Sequence, residues 1–256
     1  MELNNENYFS LENQMKYMGV SQFKAFKKCQ ASALAEIKGE YVREPTTALL
    51  VGSYVDSYFE GDLDRFKLLH PELFKRNGEL KSEFAKANQI IARIESDKLF
   101  MEYMSGDKQV IMTGVIEGVE VKIKIDVLHS DKIVDLKIMA DFADKYVEEQ
   151  GRLSWVEAWG YDLQGAVYQE VVRQNTGKVL PFYLAGATKE TEPDIDIVQV
   201  PQAFLDYELE QFKEDIQLFD AIKKGLIPPE RCNHCNYCKR TKILKEPRVL
   251  GVLNYE

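Results

Sequence analysis

The chain has 256 residues, of which 45% are hydrophobic and 29% charged, with a formal net charge of -9. These fractions suit one large soluble globular domain, and the acidic balance excludes a surface coated all over with nucleic-acid-binding charge while leaving room for a local basic track. No apolar stretch approaches the roughly 20 residues that span a bilayer, and the acidic, polar start from Met1 to Asn7 is unlike a signal peptide, so the expected location is inside the cell.

In chain order, Ser21 is placed to cap a helix that runs through Phe23, Phe26, Leu34 and Ile37, with Cys29 inside it. Pro45 interrupts, and Ala48 to Glu60 then forms a second, largely buried helix. Gly52 within it predicts close packing against another backbone. Ser82 to Ser96 is amphipathic, with Phe84, Ile90, Ile91 and Ile94 at helical intervals, and a further helix continues through Met104.

Strands follow from Gln109 to Ile138. Val119, Val121, Ile123, Ile125 and Val127 share one face, and Glu120, Lys122, Lys124 and Asp126 share the other. After a short polar connection, His129 to Lys132, the same alternation puts Asp135 and Lys137 on one face. A hairpin of these strands brings two carboxylates and an ammonium to one spot. Metal-assisted phosphodiester hydrolysis needs that set: anionic oxygens for a hard divalent cation and a positive charge beside the attacked phosphate. Charged faces of hairpins are mostly just solvated, so the spacing alone is a weak signal.

Ser154 to Gln174 predicts one long helix, ended by Asn175-Thr176-Gly177. Trp155 and Trp159 are four apart within it and suit packing better than base stacking. Gln164 and Tyr168, also four apart, emerge on one face, where they can hold a phosphate oxygen and a water. For Tyr168 a buried ring with its hydroxyl at the rim is the simpler reading. Lys178 to Ala187 and Ile195 to Val200 are strands, and Pro201 opens a helix over Gln202 to Lys224. The order of elements is that of an α/β protein with a mixed sheet.

Of the four cysteines, Cys232, Cys235 and Cys238 fall in one seven-residue run, and Cys29 stands far upstream. Two successive two-residue gaps are metal-ligand spacing, for zinc or an iron–sulfur cluster. His234 could complete a zinc set with the triplet. Around the run, Lys223, Lys224, Arg231, Lys239, Arg240, Lys242, Lys245 and Arg248 meet only Glu230 and Glu246, which is a local basic track.

The order of these motifs is distinctive: Gly52-x-x-x-Asp56-x-x-x-Glu60 on a helix, Asp126 on a strand, Asp135-x-Lys137 on the next, and Gln164-x-x-x-Tyr168 on the helix after. From about Ser21 to Cys238 the chain resembles the PD-(D/E)XK nuclease superfamily, in particular its RecB-like and RecE-like exonucleases, phage-encoded ones included. The resemblance implies a single domain over residues 1–256 with a restriction-endonuclease-like core, a mixed central β-sheet flanked by helices. It implies a deoxyribonuclease dependent on Mg²⁺ or Mn²⁺, acting as an exonuclease at DNA ends in phage-type recombination or repair. Asp56, Asp126, Asp135 and the Leu136 carbonyl would be metal ligands. Lys137 would orient the attacking water, and Gln164 and Tyr168 would position the scissile strand. Asp56 stands where RecB-like members often carry histidine, and Glu60 could share its role.

One cysteine before the core and three after it are similar to the iron–sulfur-stapled branch of that superfamily. That layout implies a [4Fe-4S] cluster on Cys29, Cys232, Cys235 and Cys238, joining residues 21–40 to 225–245, with Zn²⁺ as the alternative. The implied partners are DNA and a single-strand annealing protein, in the cytoplasm of a bacterial or phage-infected cell and without membrane contact. No Gly-x-x-x-x-Gly-Lys-Ser/Thr loop supplies an ATP motor, so processive action would call for a homo-oligomer or a partner. A non-catalytic, metal-stapled DNA-binding scaffold and a structure-specific endonuclease are the competing functions.

Overall fold

The computed structural model describes residues 3–148 and 150–244; Met1 and Glu2 of the N-terminal segment and Lys245, Glu246 and Arg248 of the basic track lie outside the described residues. The alternating segments become adjacent strands, β1 (Asp107–Ile116), β2 (Val119–Leu128) and β3 (Ile133–Met139). Val121, Ile123, Ile125 and Val127 of β2 are fully buried, as the alternation requires. Glu117 and Gly118 both take positive φ, 48° and 75°, which makes a two-residue turn whose twist matches the strands it joins.

A short separate hairpin, β4 (Lys145–Val147) with β5 (Gly151–Leu153), has no counterpart among the elements expected from sequence. Strand β6 (Phe182–Thr188) then pairs parallel to β3, and β7 (Ile195–Gln199) antiparallel to β6. The main sheet has five strands in the order β1-β2-β3-β6-β7. It is mixed, as the α/β expectation required.

Helices cover both faces. The N-terminal group is α1 (Leu11–Lys16), α2 (Val20–Lys28) and α3 (Gln30–Ile37), followed by α4 (Thr47–Glu60), α5 (Leu63–Leu69), α6 (Ala85–Glu95) and α7 (Lys98–Tyr103). After β5 come α8 (Trp155–Ala158) and α9 (Tyr161–Thr176), and after β7 α10 (Gln202–Lys223) and α11 (Asn236–Arg240). Residues of α4 and α6 pack with Val127, Val134 and Leu136 on one side. Those of α2, α9 and α10 pack with Val121, Ile123 and Phe182 on the other.

Two helices expected to be continuous are broken. The first is capped at Gly19 rather than Ser21, where the Gln22 side chain accepts from the Gly19 N–H at 3.3 Å. It stops at Cys29, whose backbone is extended, before α3 begins. The second breaks at Gly160, which takes φ 61° and whose Cα approaches the Lys24 stem so closely that a Cβ would lie 3.2 Å from Lys24 Cε. The positive φ favours glycine, and a side chain there would also have to push the Lys24 stem aside. The break separates the two tryptophans: Trp155 is buried against Phe142, and Trp159 is 52% exposed. Gly52 packs less tightly than predicted, since a Cβ there would meet only the Ile138 side chain, at an ordinary 3.8 Å.

Candidate active site

Strands β2 and β3 pair through only two residue pairs, Val127 with Val134 and Leu128 with Ile133. Beyond these β2 stays with β1 and β3 with β6, so the two diverge and leave a gap in the sheet. Asp126 closes its mouth, with Oδ2 accepting the Leu136 N–H at 3.0 Å and Oδ1 facing Gln109 Nε2 at 3.4 Å. The N–H and C=O of one strand residue leave the same edge, so the Leu136 carbonyl also faces the gap.

Asp135 is 1% exposed. Its Oδ1 accepts from Gln164 Nε2 of α9 at 2.7 Å, and its Oδ2 lies against the Lys137 ammonium as an ion pair, without hydrogen-bond geometry. Burial pushes the Asp135 carboxyl up to about 7, with Lys137 pulling it down and Asp126 pushing it further up. Burial would lower Lys137, but the Asp135 and Asp126 carboxylates hold it above its ordinary value. Lys137 also sits 5.1 Å from the Tyr161 ring centroid.

On the other side of the gap, α4 delivers Asp56. The residue is half-buried, but its Oδ1 is shut off from solvent and has no hydrogen-bond partner, as is Gln109 Oε1. Burial, with Asp126 adding to it, raises the Asp56 carboxyl well above the usual range. Glu60, one turn on, is raised by burial, and Lys124 draws it partly back. Asp56, Glu60, Gln109, Asp126 and Leu136 line one small cavity. Buried carboxylates that face one another with unpartnered oxygens repel unless a cation joins them. A hard divalent ion bound through oxygen fits this donor set.

Tyr168 is 9% exposed and donates its hydroxyl to the Lys124 carbonyl at 3.0 Å. The simpler reading of its ring is the observed one: Tyr168 ties α9 to β2, while Gln164 ties it to Asp135. Three neighbours had no sequence signal. Gln109 joins from a point where the β1–β2 pairing skips one residue and its own φ is 53°, Tyr161 through the break at Gly160, and Lys24 by reaching across from α2 to donate to the Trp159 carbonyl at 3.0 Å.

The model of one protein family, the PDDEXK-like domain of unknown function (DUF3799), matches residues 19–241. The chain belongs to this family. Among solved structures, a crystal structure at 2.19 Å of a protein named "Putative exonuclease" from Eubacterium rectale is similar, with 49% identity, a TM-score of 0.94, and 97% of each chain covered. No curated protein matches significantly. The restriction-endonuclease-like fold inferred from the motif order is therefore that of the PDDEXK-like family.

Outside this gap, Cys29 joins Cys232, Cys235 and Cys238, with all four sulfurs within 4.8 Å of one another. Among the described residues this is the one set of three or more such ligands so tightly gathered; the carboxylates stand further apart. The separations are 3.6 Å from Cys29 to Cys238 and 3.9 Å from Cys232 to Cys238. The N–H groups of Cys235 and Cys238 point at Cys232 Sγ and Cys235 Sγ, at 3.3 and 3.4 Å. Burial opposes ionisation of Cys232, but the N–H groups of His234 and Cys235 bring its thiol down to about 6. His234 is not in the set, and its Nδ1 faces the Cys232 carbonyl at 2.8 Å.

Proposed function

We propose that the protein is a Mg²⁺- or Mn²⁺-dependent deoxyribonuclease that degrades DNA from its ends. The observation that carries this is the gap between β2 and β3, where Asp126 and the buried oxygens of Asp56 and Asp135 lie within electrostatic reach of the Lys137 ammonium. The PDDEXK-like family and the 49% identical protein named as an exonuclease support the same reading.

Asp56, Asp126, Asp135 and the Leu136 carbonyl would hold the ion. When bound, it supplies Lewis acidity at the phosphate and lowers the pKa of a water by several units. Lys137 orients that water and offsets the charge that grows on the phosphate. Gln164 is a positioning residue, fixing Asp135 from α9, and Tyr168 holds α9 against β2; together they set where the scissile strand lies. Hydrolysis from ends in recombination or repair would leave single strands for an annealing protein, and ring-like self-assembly would supply processivity.

Two experiments test the reading. With Mg²⁺ or Mn²⁺, end-labelled linear DNA is expected to be degraded and closed circular DNA spared, and EDTA is expected to stop the reaction. Cleavage of circles would make the protein an endonuclease, and inertness with every metal would favour the scaffold. Independently of activity, about 5 mM Mg²⁺ is expected to raise the melting temperature of wild type, because an ion that binds only the folded state stabilises it. Asp56→Asn is expected to melt higher than wild type without metal and to respond less to Mg²⁺. An upward Mg²⁺ shift of equal size in both proteins would remove Asp56 from the ligand set.

The four thiolates hold a second, structural metal. Zn–S bonds of about 2.3 Å place tetrahedral sulfurs about 3.8 Å apart, which the observed 3.6 and 3.9 Å match. A [4Fe-4S] cluster, each sulfur on its own iron, would spread them further. Metal analysis of the purified protein decides between one zinc per chain and a brown protein absorbing near roughly 400 nm.

A further inference from the structure

Lys24 stands where three cavities meet. One, of about 240 Å³, is shared with Gln164 and Tyr168. Another, an open groove of about 690 Å³, runs from Lys24 between α2–α3 and the cysteine knuckle. Lys24 is within electrostatic reach of Lys137 and Asp135, and its ammonium lies 5.2 Å from the centroid of the same Tyr161 ring that Lys137 overlies. Lys24 thus links the groove to the cavity lined by Gln164, which holds Asp135 of the candidate active site.

Its walls carry positive charge on a chain whose net charge is -9. No ion pair engages Lys24 or the exposed Lys28 among the described residues. The acid in the groove, Glu36, is already matched by Arg43 at 2.7 Å. At the far end Tyr41 and Tyr237 stand together, half-buried, with ring centroids 5.3 Å apart and planes tilted by 56°. Spaced cations followed by half-buried aromatic faces make a surface for a phosphate backbone and an unstacked base. A duplex keeps its bases stacked inside and has none to offer such a face.

We propose that an unpaired strand runs from the Asp135–Lys137 centre past Lys24 and along this groove, its phosphates on Lys24 and Lys28 and a base on the Tyr41–Tyr237 pair. This rests on the nuclease reading and deepens it: the segment held beyond the site of cleavage is single-stranded DNA.

The test uses the full chain with its bound metal and Ca²⁺ in place of Mg²⁺, and measures fluorescence anisotropy of a labelled 15-nucleotide oligo-dT and of a blunt duplex. Tyr41→Ala is expected to weaken oligo-dT binding about tenfold or more, Tyr41→Phe to retain it, and neither to alter duplex binding. Lys28→Ala, at an exposed position, is expected to lower the slope of log affinity against log salt by about 0.7. Hydrolysis of the p-nitrophenyl ester of thymidine 5′-monophosphate with Mg²⁺, too short a substrate to reach the groove, is expected to be the same in all four proteins. Wild-type oligo-dT affinity and salt slope in Tyr41→Ala and Lys28→Ala would overturn the track while leaving the nuclease reading intact. Loss of oligo-dT binding in those variants, with no hydrolysis of DNA or ester by wild type, would keep the track and overturn the nuclease.

Discussion

Lys137→Ala is expected to lower Mg²⁺-dependent DNA degradation by about a hundred- to a thousandfold, and Asp135→Asn by as much. A preorganised charge in a water-poor site is commonly worth two to three orders of magnitude in rate, and Lys137 has two carboxylates holding it in its charged form. Asp135→Asn keeps the shape and leaves an oxygen for Gln164, but it takes away both a charged ligand and the counterion of Lys137. Neither change is expected to unfold the protein. Burial raises the Asp135 carboxyl to about 7 in the fold, so its ionised form is opposed there; that penalty is full above about 7 and fades as pH falls from there to the ordinary carboxylate range. Removing that charge relieves the Asp135 penalty but leaves the Lys137 ammonium buried without its counterion, so the two effects oppose each other in the metal-free melting temperature. Circular dichroism should match wild type, with melting at most several degrees lower, while end-labelled DNA persists. A variant degrading DNA at the wild-type rate would show that the reaction is done elsewhere.

The strands were legible because period-two alternation is a local property: Val119 to Val127 bury the face that the pattern names. The pairing of Asp135 with Lys137 was legible for the same reason. The gap that makes them a site was not, because it depends on β2 leaving β3 after two residue pairs, and register between strands is a tertiary fact. Helix breaks were equally hidden. Gly160 sits in an otherwise helical pattern, and the reasons glycine stands there, its φ of 61° and the Lys24 stem close by, appear only in the structure. Cys29 lies in a run with good helical spacing, yet the chain is extended there as it meets the knuckle. Gln109 is invisible in sequence because its partner, Asp126, lies on the neighbouring strand.

Cys29→Ser is expected to release the structural metal and to lower the melting temperature by roughly 10 °C or more. Structural zinc binds with about 10–16 kcal/mol in small metal domains. Forfeiting ~4 kcal/mol of that is enough, because a chain of this size melts about 2–4 °C lower for each kcal/mol of stability removed. The effect exceeds that of an ordinary buried cysteine because Cys29 lies 209 residues from Cys238, whose sulfur it approaches to 3.6 Å. A metal held by the four sulfurs would thus close a loop around most of the described fold. Among the described residues two hydrogen bonds join α3 to the segment before the knuckle without it, Ala31 N to the Glu230 carbonyl at 2.9 Å and Glu230 N to Gln30 Oε1 at 2.8 Å. These keep the knuckle near α3 but leave three thiolates without a fourth. Calorimetry with metal analysis checks the expectation, and full metal content at the wild-type melting temperature would refute the staple. The same variant is expected to reduce oligo-dT affinity, since α2, which ends at Cys29, carries Lys24 and Lys28. In that sense a metal on the four sulfurs would also hold one wall of the groove in place.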